Sequence, residues 1–235
     1  LGRKLEAYDI WYDGFKPRSN LDEAQLDAQL QKLYPNAEAF KTGLPSLLIH
    51  LGFTPERANE ICDKIAVDAA RGSGHAWGAS MKGQQSHLRT RIPAEGINYK
   101  GYNIAVHEFG HNVEQTISMY NVDNFMMAGV PNTAFTEALA FVFQKRDLQL
   151  LGIENNDPEK EKMDILDKFW SLYEIMGVSM LDISVWEWMY THPDATAEQL
   201  KEATIALSKE IWNKYYAPVF GKQDETVLAV YSHMI

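Results

Sequence analysis

His107 and His111 stand four residues apart in the segment HEFGH, and this spacing constrains the fold more than any other feature of the 235-residue chain. On an α-helix, residues four apart lie on one face, so both imidazole rings can reach a single metal ion. Glu108 lies about 100° around the helix from His107, where its carboxylate can reach a water on that ion. The segment therefore predicts a helix that carries two metal ligands and a general base.

A third ligand has to come from another helix, and FTEALAFVFQ supplies Glu137, 26 residues after His111. The intervening MMAGVPN (126–132) has the composition of a helix break, which would bring the following helix back over the histidine pair. The predicted turn residues are Gly129 and Pro131, and the predicted cap of the next helix is Asn132 or Thr133.

Imidazole nitrogen and carboxylate oxygen are ligands that zinc accepts in tetrahedral sites, and a catalytic zinc site keeps one position for water. We therefore expect zinc at His107, His111 and Glu137, with Glu108 as the general base. The chemistry that this arrangement predicts is hydrolysis of a peptide bond.

The composition excludes several classes of partner. The net charge of −10 argues against nucleic acid and anionic membranes, because both bind clustered Lys and Arg. No stretch approaches the roughly 18 apolar residues of a membrane span, so we expect a soluble protein. Cys62 is the only cysteine, which leaves the compartment open, cytoplasmic or exported. The chain starts at Leu1 and stops at Ile235 inside a predicted helix, which indicates a segment of a longer protein of unknown oligomeric state.

Helical patterning dominates the chain, and the expected fold class is mainly α with a small β-sheet beside the HEFGH helix. The Gly- and Ser-rich stretch 72–93 predicts two or three short strands at most. The long helix over 157–190 has a candidate break at Gly177. The predicted helices cover about 20–35, 42–51, 54–72, 102–120, 133–151, 157–190 and 196–216, and a last one begins at Asp224.

Taken in order, GHAWG, HEFGH and FTEA resemble the catalytic segment of the thimet oligopeptidase family of zinc metallopeptidases, which includes neurolysin and oligoendopeptidase F. The family pattern is a Gly-His-Ala strand, then HEFGH, a Gly-containing turn and Phe-x-Glu-Ala. The matching residues are Gly74, His75 and Ala76, then His107 to His111, Gly129, and Phe135, Glu137 and Ala138. With the weaker lead-in segments AYDIWY and GLPSLLIHLG, the resemblance covers about 220 residues.

The resemblance implies a zincin-like helical catalytic domain over 1–235, from which an N-terminal helical lid and a C-terminal part are absent. It also implies that peptide substrates lie along the strand Gly74–Trp77 and near Gly129. His75 would contact the substrate backbone or the oxyanion, or else would be a strand histidine bonded to its neighbours. Trp77 would line a substrate pocket or pack against the protein.

Two features depart from the family pattern. Gln144 stands where the family usually has an acidic residue, seven positions after Glu137. As a neutral partner it would raise the basicity of a ligating histidine less than a carboxylate does, and Glu114 is a possible substitute. The His and Tyr that stabilise the oxyanion in the family have no matching segment. The late candidates, more in keeping with core or surface roles, are Tyr215, Tyr216, Tyr231 and His233.

Three functions follow from these observations. The first is a zinc-dependent peptidase for short unstructured peptides, with low activity if the oxyanion donors are missing. Another is an aminopeptidase, which would need an acidic anchor for the substrate amine. The last is a catalytically weak or inactive peptidase-like domain that binds peptides or serves as a scaffold, in which the metal is structural.

Overall fold

The computed structural model describes residues 1–12, 14, 23–127, 129, 132–153 and 158–232. It is mainly α, with 65% helix and a three-stranded mixed sheet, as the sequence predicts. Two compact units form: a central unit of Ser19–Asn156 and a terminal unit of Leu1–Arg18 with Asp157–Ile235. Each unit has its own hydrophobic core. No helix within the described ranges has the length and apolar character needed to cross a membrane.

The elements are numbered here in chain order. The α-helices of the described residues are α1 Glu23–Leu33, α2 Ala37–His50, α3 Pro55–Cys62, α4 Tyr99–Asn121, α5 Thr133–Gln144, α6 Asp147–Leu150, α7 Pro158–Thr191, α8 Ala197–Tyr215, α9 Ala217–Phe220 and α10 Val227–Tyr231. The strands are β1 Ile65–Ala70, β2 His75–Trp77 and β3 Ser86–Arg91. Short 3₁₀ helices occupy Ala7–Trp11 and Phe125–Met127.

The sheet has the order β1-β3-β2, so β2 lies at an edge. β1 runs parallel to β3, and β2 runs antiparallel to it, with Ala76 opposite Leu88. Side chains alternate along β3: Ser86, Leu88 and Thr90 are buried, and the residues between them are exposed. The buried face packs on α4, where Leu88 joins the same core cluster as Tyr102. One face of the sheet is therefore covered by α4. On the other, here called the open face, the β3 side chains are exposed among the described residues.

The α4 helix begins where the Asn98 side chain accepts a hydrogen bond from Gly101 N at 2.9 Å. Tyr102, Val106 and Phe109 recur at helical spacing and are fully buried in the core of the central unit. Burial of such side chains contributes about 1.5–3 kcal/mol each. A Cβ at Gly101 would lie 2.8 Å from the carbonyl oxygen of Arg91, so the glycine permits close contact between α4 and the end of β3.

The α5 helix begins where Asn132 accepts a hydrogen bond from Phe135 N at 3.2 Å, which confirms one of the two predicted caps. It packs closely against α4 at Gly110. A Cβ added at Gly110 would lie 2.8 Å from the Cα of Ala140, closer than a real Cβ approaches a backbone atom. The Phe109 and Phe143 rings meet edge-on beside this contact, with centroids 5.9 Å apart.

Two predicted helices are wrong in extent. The helix predicted over 54–72 ends at Cys62, and Ile65–Ala70 forms β1 instead. Pairing with β3 over the whole strand decides this, because non-local pairing overrides weak local propensity. The helix predicted over 133–151 is interrupted after Gln144, and the short helix α6 follows it.

Other boundaries also differ. The helix predicted over 42–51 begins at Ala37, because the Asn36 side chain accepts from Ala39 N and caps it. Gly177 does not break α7, which continues through it. A Cβ there would lie 2.4 Å from the Tyr216 hydroxyl oxygen, so the glycine leaves room for the Tyr216 side chain. Of the helix predicted over 20–35, residues 20–22 lie outside the described residues.

Two of the late tyrosines, Tyr216 and Tyr231, lie in the terminal unit. Tyr216 is buried in the terminal unit, where its hydroxyl accepts from Gly177 N at 2.7 Å and donates to Tyr173 O at 2.6 Å. Burial raises the pKa of Tyr216 to about 12. Tyr231 is half exposed and its ring packs on Trp11. His233 lies outside the described residues.

The close contact at Gly110 predicts that an alanine there destabilises the protein, the opposite of its usual effect in a helix. Alanine normally stabilises a helix interior over glycine by about 1 kcal/mol. Here Gly110→Ala should instead lower the free energy of unfolding by about 1–3 kcal/mol, because the methyl group overpacks the contact with Ala140. Urea unfolding of the metal-free protein measures it. Gly72→Ala is the matched control, since a Cβ at Gly72 meets open space; equal or higher stability of Gly110→Ala would contradict the contact.

Candidate metal centre

The three predicted ligands lie together between α4 and α5. Nε2 of His107 lies 3.3 Å from Oε2 of Glu137, and Nε2 of His111 lies 3.4 Å from Oε1 of the same carboxylate. The imidazole rings are 4.9 Å apart and edge-on. The side chains of His107 and His111 are 16% and 14% exposed, and Glu137 is 44% exposed, so the cluster opens to solvent on the side of the carboxylate.

These separations, one to each oxygen of the Glu137 carboxylate, leave room for one metal ion between the three side chains. Two atoms that each lie about 2.0–2.1 Å from one tetrahedral zinc are about 3.3 Å apart. A charge-assisted N–H···O hydrogen bond would be shorter, about 2.7–2.9 Å. Among the described residues, His107, His111 and Glu137 form the one group of three ligand atoms within 4.8 Å of one another. Two imidazole nitrogens and one carboxylate oxygen are also a donor set that suits zinc.

A chain of polar side chains extends from His107 away from the cluster. Nδ1 of His107 lies 3.1 Å from Oε1 of Gln144, and Nε2 of Gln144 donates to Oδ1 of Asn103 at 2.7 Å. Nδ2 of Asn103 then donates to Oδ2 of Asp147 at 2.8 Å. Sequence reasoning missed Asn103 and Asp147. Asn103 had a signal, because it precedes His107 by four residues and so lies on the same face of α4.

Glu108 lies partly buried on the side of α4 that faces β2. A Cβ at Gly74 would lie 3.2 Å from Cγ of Glu108 and 2.4 Å from Cγ2 of Ile104. Gly74, predicted to contact substrate, therefore leaves the room in which the Glu108 side chain sits. Glu108 is not a member of the ligand cluster, in keeping with its predicted separation from the metal.

The side chains of β2 divide between the two faces of the sheet. Ala76 pairs with Leu88 and shares its face, toward α4, whereas His75 and Trp77 are exposed on the open face. The His75 and Trp77 rings meet edge-on at 5.1 Å, and the Arg89 guanidinium lies 5.1 Å from the Trp77 ring centroid. The structure thus brings the backbone of β2 to α4 but does not bring the His75 ring to the ligand cluster.

The remaining two predicted residues lie farther along α4 and in the loop after it. Gly129 has a left-handed backbone, with φ of 73°, and its N–H donates to Oγ of Ser118 on α4 at 2.7 Å. Burial raises the pKa of the Glu114 carboxyl above its usual range, and His111 opposes the shift. Within the described ranges Glu114 makes no hydrogen bond to either histidine, and Gln144 holds the position beside His107.

Zinc binding should depend on the three clustered side chains. We expect one zinc per chain in protein purified without chelator, and loss of stoichiometric zinc in His111→Ala, because two ligands do not complete the site. Metal analysis after gel filtration measures both. His87→Ala is the control: His87 pairs with Asp68 at 2.8 Å on the open face of the sheet and should not affect zinc. Zinc retained in His111→Ala, or lost in His87→Ala, would show that the ion binds elsewhere.

Comparison of the chain with protein-family models, curated proteins and solved structures returned no match. The resemblance to the thimet oligopeptidases therefore stays a prediction, and the case for function is made from the site.

Proposed function

We propose that this chain is a zinc-dependent peptidase, with His107, His111 and Glu137 as metal ligands and Glu108 as the general base. The observation that carries the proposal is the division of roles around α4: three ligand atoms converge, and Glu108, which follows His107 in the sequence, lies outside that cluster against Gly74. Zinc, when bound, would act as a Lewis acid and lower the pKa of its water to about 7.

The protein's own contribution to the reaction is the placement of Glu108. Its carboxylate takes a proton from the attacking water and delivers it to the leaving amine, as general acid–base catalysis requires. Partial burial beside Gly74 limits the conformations of the side chain, and a general base needs such restriction. Among the described residues, no strand pairs with the outer edge of the neighbouring strand β2.

The edge strand supports short unstructured peptides as the substrate class. An extended peptide can add to a sheet edge through main-chain hydrogen bonds, which tolerate many side chains. The absent Cβ at Gly74 lets the start of this edge lie close to α4, beside Ile104 and Glu108. A folded protein presents few free extended segments and would be a poor substrate.

A peptide-binding domain with a structural metal is the competing function. A structural zinc site is closed by four protein ligands, whereas a catalytic site has three and keeps a position for water. The cluster holds three His, Cys, Asp or Glu ligands among the residues that the structure describes. This ligand number favours the peptidase.

Glu108→Gln separates chemistry from metal binding. The variant should keep one zinc per chain and lower kcat by about 10²–10⁴, because the general base is lost and the ligands are not. Zinc content and cleavage of a quenched fluorescent peptide are measured on the same preparation. Glu56→Gln, an exposed glutamate on α3, should match the unaltered protein in both. Full activity in Glu108→Gln would remove Glu108 from the mechanism, and loss of its zinc would make it a ligand.

Substrate selection gives an independent prediction. A mixture of short peptides should be cleaved at several sequences, while a stably folded protein at the same concentration should stay intact until it is unfolded, because only an extended chain can pair with β2. Mass spectrometry of both digests decides. Equal cleavage of the folded and unfolded protein would contradict binding at the sheet edge.

A further inference from the structure

We propose that Asp147 is a positioning residue for the metal: acting through Asn103 and Gln144, it holds the proton of His107 on Nδ1 and leaves Nε2 free to bind zinc. The inference rests on the proposed function, since it assigns a role toward the same metal. It also changes the meaning of Gln144, which the sequence alone presents as a weak neutral replacement for an acidic residue.

Asp147 sets which group donates and which accepts in the series of hydrogen bonds that leads to His107. This carboxylate is buried and accepts three hydrogen bonds, from Nδ2 of Asn103 at 2.8 Å, the Tyr99 hydroxyl at 2.8 Å and Leu148 N at 2.6 Å. An ionised carboxylate has no proton to donate. Burial, and then the Asp147 charge, raise the pKa of Tyr99, so its hydroxyl stays a donor. Each of the three neighbours must therefore present a hydrogen to Asp147.

The side-chain amides of Asn103 and Gln144 link Asp147 to His107, and each has its orientation fixed by the one before it. Because Asn103 must turn its NH₂ group to Asp147, its carbonyl oxygen faces Gln144, and it accepts from Nε2 of Gln144 at 2.7 Å. Gln144 must then turn its own carbonyl oxygen to His107, where Oε1 lies 3.1 Å from Nδ1. With the carboxylate in place, only one orientation of each amide satisfies every donor and acceptor.

The result is a fixed tautomer. A carbonyl oxygen accepts only, so Nδ1 of His107 must carry the hydrogen, and a neutral imidazole has only one. The lone pair of Nε2 is then directed to the side of the cluster where Glu137 lies 3.3 Å away. Metal-ligating histidines depend on such an acceptor on the second nitrogen, and its loss typically weakens metal binding about 10–100-fold.

Asp147→Asn tests the positioning role of Asp147. Asparagine keeps the shape of the side chain but can also donate a hydrogen bond, so it no longer fixes the orientation of Asn103. With an amide at position 147, every hydrogen bond between residue 147 and His107 can reverse its donor and acceptor. Gln144 then donates to Nδ1 of His107, and the imidazole hydrogen moves to Nε2. We expect zinc affinity to fall about 10–100-fold, measured by competition with a chelator. Asp68→Asn is the matched control, because Asp68 contacts a different histidine, His87, and its loss should leave zinc affinity unchanged.

The double variant Gln144→Glu/Asp147→Asn should restore affinity to within a few-fold of the unaltered protein. A carboxylate then accepts directly from His107, and Asn103 turns around to donate to it and to accept from the new amide, so every partner is again satisfied. Recovery also excludes unfolding as the cause of the loss in Asp147→Asn. No recovery in a folded double variant would overturn the proposal.

Nitrogen-15 NMR of the imidazoles in the metal-free protein gives a readout that is independent of zinc. His107 should carry its hydrogen on Nδ1 in the unaltered protein and in the double variant, and a mixture of tautomers should appear in Asp147→Asn. A hydrogen on Nε2 in the unaltered protein would overturn the proposal whether or not the variants fold. Failure of the unaltered protein to bind zinc, with Nδ1 protonated as expected, would instead reject the proposed function.

Discussion

Where Gly110 of α4 meets Ala140 of α5, no side chain separates the two helices. Glu137 lies three residues before Ala140 and Gln144 four residues after it, so all three share one face of α5. His107 and His111 flank Gly110 on α4 within one turn. The helix contact therefore also sets the distance from Glu137 to both imidazoles, and a wider spacing at Gly110 would draw the carboxylate away from them.

The two faces of α4 divide the work of folding and of the site. One face is apolar and packs on β3 and the core, which fixes the helix against the sheet. The other carries Asn103, His107 and His111, and these partly buried polar groups need partners. Gln144 and Asp147 supply partners for the first two, so the hydrogen bonds that satisfy these polar groups also include the proposed metal ligand His107.

The sequence predicted those parts of the site that depend on local spacing. The pairing of His107 with His111 follows from helical periodicity, and Glu137 was predicted from a helix break that returns the next helix over them. The Asn132 cap follows from the turn chemistry before α5. Strand β1 was missed because pairing with β3, and not its own composition, makes it a strand. The side of the sheet on which His75 lies depends on register with Arg89, which no local pattern gives. Asp147 was missed because its link to His107 runs through two other side chains.

X-ray absorption at the zinc K-edge, on protein loaded with one equivalent of zinc, tests the metal centre most directly. Ligation by His107, His111 and Glu137 predicts a four-coordinate ion with two imidazoles and two oxygen ligands, one of them water, at about 2.0–2.2 Å. A sulfur ligand at about 2.3 Å, which only Cys62 or a methionine can supply, or a shell of oxygens without imidazole, would contradict it.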